Sequence, residues 1–282
     1  MPTSADRTAR PALMNTAIRI FELSLGEMLW SRRSVFLALL GAAPVALAGL
    51  IRFAAFAGPA ALPQVNGERL DGSVLFGLMI WLLYIRFIVP VLGMFYGTSL
   101  IADEVDDKTI TYLFVRPIPR GAVLVGKYLA YFVCTALLIL PSVVLVYFLV
   151  VPIGGGSLGG TFPAFLTDLG MLAAGIASYG ALFAWVGARL KRPLVIGLVF
   201  VFGWEPGVLL FPGYLKRATI AYYLQGLVPH AMPQDSAVSV LLQAFQEMPP
   251  VALSLAALGG VTLIGVYLAA RATESREYVL EQ

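Results

Sequence analysis

Long apolar runs separated by short polar segments dominate the chain. A helix needs about 20 apolar residues to cross roughly 30 Å of hydrocarbon. Six runs approach or exceed this length: Val35–Phe56, Val74–Ile101, Ala122–Val151, Ala164–Ala188, Leu194–Phe211 and Val251–Ala270. The pattern predicts an all-α membrane protein with six transmembrane helices, forming a single transmembrane domain over residues 1–282.

A helical stripe precedes the first span. Apolar residues recur there at alternating steps of four and three: Met14, Ile18, Phe21, Leu25 and Met28. This spacing places them on one face of a helix. We interpret residues 1–34 as an amphipathic interfacial helix on the cytoplasmic leaflet, with an ordinary helix packed on protein as the alternative.

Small residues recur every four positions in the fourth span. They form two diagonals: Gly170, Ala174 and Ser178, then Gly180, Ala184 and Ala188. Such spacing lets helix backbones approach closely, so it predicts packing and says little about substrate.

Composition supports the membrane assignment. The chain is 59% hydrophobic and 12% charged, whereas roughly a quarter of a soluble domain is charged. The net charge of +3 does not indicate nucleic acid, because the basic residues concentrate in the segments on one side of the predicted spans. That bias predicts that both termini and residues 102–121 are cytoplasmic. One cysteine and one histidine leave no His/Cys cluster for a metal site and no internal disulfide.

The segment between the fifth and sixth spans, residues 212–250, is predicted to lie outside. Tyr214–Leu227 and Ala237–Met248 each have helical character, and prolines separate them. We interpret them as short outer helices, amphipathic or re-entrant, that cap the outer mouth of the bundle.

The stretch RGAVLVGKY matches the sequence pattern of a nucleotide-binding phosphate loop, but we do not expect it to bind a nucleotide. Gly121, Gly126 and Lys127 fit the pattern G-x-x-x-x-G-K, but Tyr128 stands where Ser or Thr would bind magnesium. The intervening residues are Ala-Val-Leu-Val, which favour a regular helix. We therefore interpret Lys127 as the cytoplasmic end of the third span.

A second catalytic pattern, G-x-S-x-G, surrounds Ser157. It lies in the uncharged, glycine-rich segment Pro152–Pro163, which has the composition of a flexible outer linker. A serine hydrolase would also need a positioned base, and His230 is the only histidine. A membrane-embedded hydrolase is thus kept only as a minor alternative.

Two charges lie deep in the apolar runs. Arg86 is near the middle of the second span, and Glu205 is in the fifth. An unpaired charge there costs about 2.5–3.5 kcal/mol or more. We expect both to face the bundle interior and to pair, either as a structural ion pair or in a substrate path. Pro206 follows Glu205 and predicts a bend at that depth.

An acidic segment opens the connection between the second and third spans. Asp103 and Glu104 would suit the first turn of a helix, Glu104 and Lys108 have i,i+4 spacing, and Pro117 would end the helix. The pattern predicts a short amphipathic helix that docks on a cytoplasmic partner; a solvated loop is the alternative.

This segment resembles the signature of type-2 ABC transporter permeases over about Leu100–Leu129. The pattern is close to E-x-x-x-G-T-x-x-x-L-L-x-x-P-x-x-R, followed by G-K. The residues that match it are Glu104, Thr109, Leu113, Pro117, Arg120, Gly126 and Lys127. Lys108 departs from it, because the family commonly has glycine there. The six-span layout and the outer segment also fit.

The resemblance implies a transport subunit, an exporter, without ATPase chemistry of its own. It implies a cytoplasmic ABC ATPase that binds ATP and Mg, a second permease copy (a homodimer), surrounding lipids, and a bacterial-type cytoplasmic (inner) membrane. The coupling segment that contacts the ATPase comprises Glu104, Asp107, Thr109, Tyr112, Arg116 and Arg120. An ABC-linked assembly that transmits force or signal without transport is the alternative.

Overall fold

The computed structural model describes residues 13–30, 32–58, 64–65, 68–69, 71–106, 120–209, 214–229 and 249–275. Helices account for most of these residues. In chain order they are α1 (Leu13–Leu29), α2 (Arg32–Ala57), α3 (Gly72–Met79), π1 (Ile80–Ile88), α4 (Val89–Asp106), α5 (Arg120–Val150), a 3-10 turn (Ile153–Gly155), α6 (Leu158–Arg189), α7 (Pro193–Val199), π2 (Phe200–Trp204), α8 (Glu205–Leu209), a 3-10 turn (Tyr214–Ala218), α9 (Ile220–Gln225) and α10 (Val251–Ser275). Two two-residue strands, β1 (Gln64–Val65) and β2 (Glu68–Arg69), pair antiparallel. The predicted all-α class is confirmed.

Five helical segments among the described residues are long and apolar enough to span a membrane. They are Ala38–Ala57, Gly72–Leu100, Val123–Val150, Leu158–Arg189 and Val251–Thr273. The segment predicted as the fifth span is also helical, but its apolar part, Pro193–Val208, is shorter. At 1.5 Å per residue it covers roughly 25 Å.

Helix α6 is the central helix, and α4 and α10 pack most extensively against it. A Cβ on Gly97 of α4 would lie 2.8 Å from the Cβ of Phe183, and one on Gly187 of α6 would lie 2.4 Å from the carbonyl oxygen of Thr98. On the other face of α6, the Ser178 hydroxyl donates to the Leu258 carbonyl of α10, at 3.2 Å. Small residues thus bring three helix backbones together. Of the predicted diagonals, Ser178 lies at such a contact, whereas Gly187 belongs to neither diagonal and Gly170 is exposed.

Two tyrosines join α5 to α6. The Tyr128 hydroxyl donates to the Ala177 carbonyl and the Tyr131 hydroxyl to the Ile176 carbonyl, each at 2.8 Å. Tyr131 is fully buried. Its ring occupies the space above Gly180, where a Cβ would come within 1.9 Å of the ring.

The stripe on α1 is divided between protein and exterior. Helix α1 packs along α5, and Leu25 and Met28 contact the core. Ile18 is about half exposed. The Ser34 hydroxyl, at the start of α2, bonds both the Met28 carbonyl and the Tyr96 hydroxyl of α4. Helix α1 is therefore attached to the bundle, and the alternative of packing on protein holds for part of its stripe.

The expectation of a flexible linker over residues 152–163 is wrong. Gly154 and Gly155 adopt positive φ angles of 76° and 89°, which glycine permits, and they form a tight turn. Ser157 then caps α6 by accepting the Gly160 N–H at 3.2 Å. The helix consequently begins at Leu158, six residues before the predicted start of the span.

Candidate functional site

Two π-helical turns interrupt the second and fifth predicted spans, and a single residue separates each of them from a proline. The N–H of Val89, which precedes Pro90, bonds the Tyr84 carbonyl. The N–H of Glu205, which precedes Pro206, bonds the Phe200 carbonyl. Both bonds reach five residues back. Proline donates no hydrogen bond to the turn before it, so the two wider turns lie where the helical bonding is weakest.

Each π-helix carries or adjoins one of the intramembrane charges. Arg86 lies within π1, with its guanidinium 5.1 Å from the centre of the Trp81 ring. Glu205 directly follows π2, and only 4% of it is exposed. Arg86 interacts electrostatically with both Glu205 and Tyr179. The structure thus brings the two predicted charges into one cluster in the bundle interior.

The two π-helices also touch through aromatic rings. Phe87 of π1 and Phe202 of π2 lie edge to face, with ring centres 6.1 Å apart. Such contacts favour a defined relative orientation. The weak points of the two spans therefore lie beside each other.

Glu205 has a partner that the sequence did not predict. Its two carboxylate oxygens accept the N–H groups of Ile220 and Ala221, at 3.0 and 3.3 Å, in the first turn of α9. Thr219 stands at the N-cap position but makes no side-chain cap; its hydroxyl donates to the Lys216 carbonyl at 2.8 Å. A carboxylate 15 residues earlier in the chain has no fixed sequence spacing to a helix start, so no local signal indicates it.

Helix α9 enters the bundle. Ile220, Ala221 and Leu224 are buried, and α9 contacts α6, α10 and π1. A Cβ on Gly175, near the middle of α6, would lie 3.1 Å from a Leu224 methyl carbon. The predicted helix Tyr214–Leu227 is therefore two short helices divided at Thr219, and the second packs against the bundle. Ala237–Met248 lies outside the described residues.

Asp168 is a third buried ionisable residue within a predicted span, and sequence reasoning missed it. It lies in α6 and is fully buried. With a span predicted to start at Ala164, an acid four residues later belongs to the membrane edge. Because the helix begins at Leu158, Asp168 instead lies in its third turn.

We predict that the Arg86–Glu205 interaction is measurable by a double-mutant cycle. Arg86→Ala should lower thermal stability in detergent more in the presence of Glu205 than in a Glu205→Gln background, because it leaves a buried carboxylate without its neighbouring cation. The expected coupling is about 0.5–3 kcal/mol. Strictly additive losses would show that the two side chains act independently.

The helix ends that flank the predicted coupling segment are described. Glu104 lies in the last turns of α4, and Arg120 begins α5; their side chains, and the whole of Asp107, Thr109, Tyr112 and Arg116, lie outside the described residues. The expectation that the acids open a separate helix is wrong, since α4 continues unbroken from the second span through Asp106. The span is apolar only to Ile101, but its helical bonding does not stop where the apolar run stops.

The two ends are held side by side. The Lys127 ammonium of α5 donates to the Leu100 carbonyl of α4, at 3.3 Å. Lys127 therefore has a local protein contact in addition to its predicted position at the membrane surface. Gly121 and Gly126 lie within α5, so the stretch that matches the phosphate-loop pattern is helical throughout.

The G-x-S-x-G pattern around Ser157 also has a structural role. The Ser157 oxygen is occupied in capping α6, and His230 lies outside the described residues. Over the described part of the chain, no three His, Cys, Asp or Glu side chains come together as a metal site would need.

Comparison with protein families gives a match to the family described as "ABC-2 family transporter protein", over residues 26–203. The match covers more than half of the chain, including Arg86 and the whole segment 102–121. The chain belongs to the ABC-2 transporter family. Comparison with curated proteins found no match.

The family match makes this chain a multi-pass membrane permease of an ABC transporter. The matched region ends at residue 203, two residues before Glu205. The contact between Glu205 and α9 therefore lies beyond the part of the chain that the family match covers.

Proposed function

We propose that this permease is an exporter subunit that couples ATP hydrolysis by a separate cytoplasmic ABC ATPase to movement of a substrate. The observation that carries the proposal is the stem formed by α4 and α5, which presents the family signature between two helix ends joined by Lys127 and Leu100. Because α4 and α5 are joined at this point, a partner that docks on the segment between them could move both helices together. ATP and Mg would bind to the partner, and residues 102–121 would contact it.

The packing of α4 supports a route from the coupling segment into the membrane. Gly187 brings α6 against the α4 backbone at Thr98, and the Tyr96 hydroxyl bonds Ser34 of α2 at 2.9 Å. Farther along the same helix, Pro90 and π1 form the weak point beside Arg86. A push on α4 would be carried along a rigid helix and would bend it at π1. ATP binding can drive this only if the ATPase binds the two arrangements with different affinity.

The proposed setting follows the charge bias and the resemblance. Both termini and residues 102–121 would be cytoplasmic, in a bacterial-type inner membrane. The exposed apolar side chains of α2 and α10 would contact lipid. A second copy would complete the transport unit as a homodimer, and no nucleic acid is expected to bind.

Vesicles holding the permease and its ATPase distinguish export from force transmission. We expect ATP to drive accumulation of a labelled cargo inside inverted vesicles, and we expect a cargo that is moved to stimulate ATP hydrolysis. The control uses an ATPase that binds but does not hydrolyse ATP. Sustained ATP hydrolysis without movement of any compound from a panel of drugs, peptides and lipids would favour the assembly that transmits force or signal.

A further inference from the structure

The turn between α6 and α7 carries a concentrated positive charge. Arg189 ends α6, and Lys191 and Arg192 lie directly before the first residue of α7. All three side chains are exposed, and within the described part of the chain none of them makes an ion pair or a hydrogen bond. The sequence has no acidic residue between Asp168 and Glu205. The immediate surroundings of the turn therefore leave its charge uncompensated.

The turn lies where two apolar helical segments end. The candidate span of α6 runs to Arg189, and the next apolar helix begins four residues later. Gly187 brings this end of α6 against Thr98 of α4. Two residues farther along α4, the Leu100 carbonyl accepts the ammonium of Lys127, which is the predicted surface residue of α5. The three basic residues therefore lie at the depth where hydrocarbon gives way to the headgroup layer.

Helix α7 continues from the turn as an exposed apolar surface. It packs on α4 through Gly197, where a Cβ would lie 2.6 Å from the Met94 Cγ. Five of its seven side chains are between 42% and 63% exposed: Leu194, Val195, Ile196, Leu198 and Val199. An acidic protein could reach the basic turn, but a water-soluble partner could not follow the apolar surface into the hydrocarbon. A molecule with a negative headgroup and alkyl chains fits both parts.

We propose that the α6–α7 turn is a binding site for an anionic phospholipid. The phosphate lies against Arg189, Lys191 and Arg192, and the acyl chains lie along the exposed side of α7. A guanidinium can donate two parallel hydrogen bonds to a phosphate, and a lysine adds a compact charge. Basic residues at the membrane surface attract anionic headgroups in this way. The site needs neither an ATPase nor a substrate, so it is independent of the proposed function.

Lipid binding to the purified permease tests the site. The full chain is stripped of lipid in detergent, incubated with phosphatidylglycerol or with phosphatidylcholine of the same acyl chains, and examined by native mass spectrometry. Phosphatidylglycerol should bind at least about tenfold more tightly, because only this headgroup has a net negative charge. Free glycerol phosphate should not displace it, since it has no acyl chains to contact α7. Equal binding of the two lipids, or displacement by glycerol phosphate, would overturn the proposal.

Neutralising the turn should remove the preference for the anionic lipid. Arg189→Gln, Lys191→Gln and Arg192→Gln in one chain should weaken phosphatidylglycerol binding at least about tenfold. The unfolding temperature should not change, because the three exposed side chains make no contact that could be lost. Arg189→Lys with Arg192→Lys keeps all three charges and should bind within about threefold of the unaltered permease. Undiminished binding in the glutamine variant would contradict the site.

The matched control removes the same charge elsewhere. Arg52→Gln, Lys216→Gln and Arg217→Gln alter cations that are predicted to lie on the opposite side of the membrane. Phosphatidylglycerol binding should stay within about twofold. An equal loss in this control would show that net charge, and not the turn, attracts the lipid. Loss of ATPase co-purification in the Arg189, Lys191 and Arg192 variant, with phosphatidylglycerol binding unchanged, would overturn the lipid site in favour of a protein contact.

Discussion

Replacing Gly187 by alanine should lower the stability of the permease by about 1–3 kcal/mol. A Cβ at this position would lie 2.4 Å from the carbonyl oxygen of Thr98 and 3.0 Å from its Cα. These are backbone atoms, so no side-chain rotation relieves the clash, and α4 and α6 must separate. The expected result is a lower unfolding temperature in detergent and a reduced yield of folded protein.

Gly170→Ala is the matched control in the same helix. A Cβ added at Gly170 would have nothing within 4 Å, and alanine favours a helix over glycine by about 1 kcal/mol. Stability should therefore be unchanged or slightly higher. Equal losses for the two variants would show that helix propensity or insertion, and not the close approach of α4 and α6, sets the effect.

Reversing two charges in the coupling segment should nearly abolish coupling. Glu104→Lys together with Arg116→Glu reverses two of the charges assigned to the coupling segment, so a complementary surface on the ATPase would meet like charges. ATPase association, or stimulation of its activity by the permease, should fall at least about tenfold, since each close charge contact can contribute more than about 1.4 kcal/mol. Co-purification and hydrolysis assays measure both.

The control for this pair is Glu22→Lys on α1, an exposed charge on the same predicted side of the membrane. It should leave association unchanged, and the folded yield of both variants should match the unaltered permease. Unchanged co-purification and unchanged ATPase activity in the double variant would contradict the assignment of residues 102–121 to coupling.

The spans were predictable because bilayer thickness imposes a length on apolar runs. Five of the six predicted runs meet the length criterion as helices, and the remaining one, the fifth predicted span, is a shorter helix. The small residues of α6 were partly informative: Gly180, which lies on a predicted diagonal, leaves no room for a larger side chain, but Gly187, where α6 meets the α4 backbone, was not predicted. Arg86 and Glu205 stood out because a charge in an apolar run is costly. Local composition carries all of this information.

Among the features that escaped prediction are two helix caps and a π-turn. Ser157 caps its own helix three residues on, and the glycine-rich composition around it concealed this cap. Glu205 caps α9 across a gap of 15 residues, which no spacing rule anticipates. The π-turn before Pro90 also went unpredicted, because a proline indicates a disturbed helix without specifying its form.

The central claim is that ATP hydrolysis by a partner subunit drives the permease, which does not bind ATP itself. The most direct measurement is ATP hydrolysis by the purified permease alone and by its complex with the ATPase. We predict hydrolysis only by the complex, with complete loss when the phosphate-loop lysine of the partner is changed and no loss in Lys127→Arg of the permease, which keeps the cation beside Leu100. Hydrolysis by the permease alone that Lys127→Arg abolishes would contradict the account.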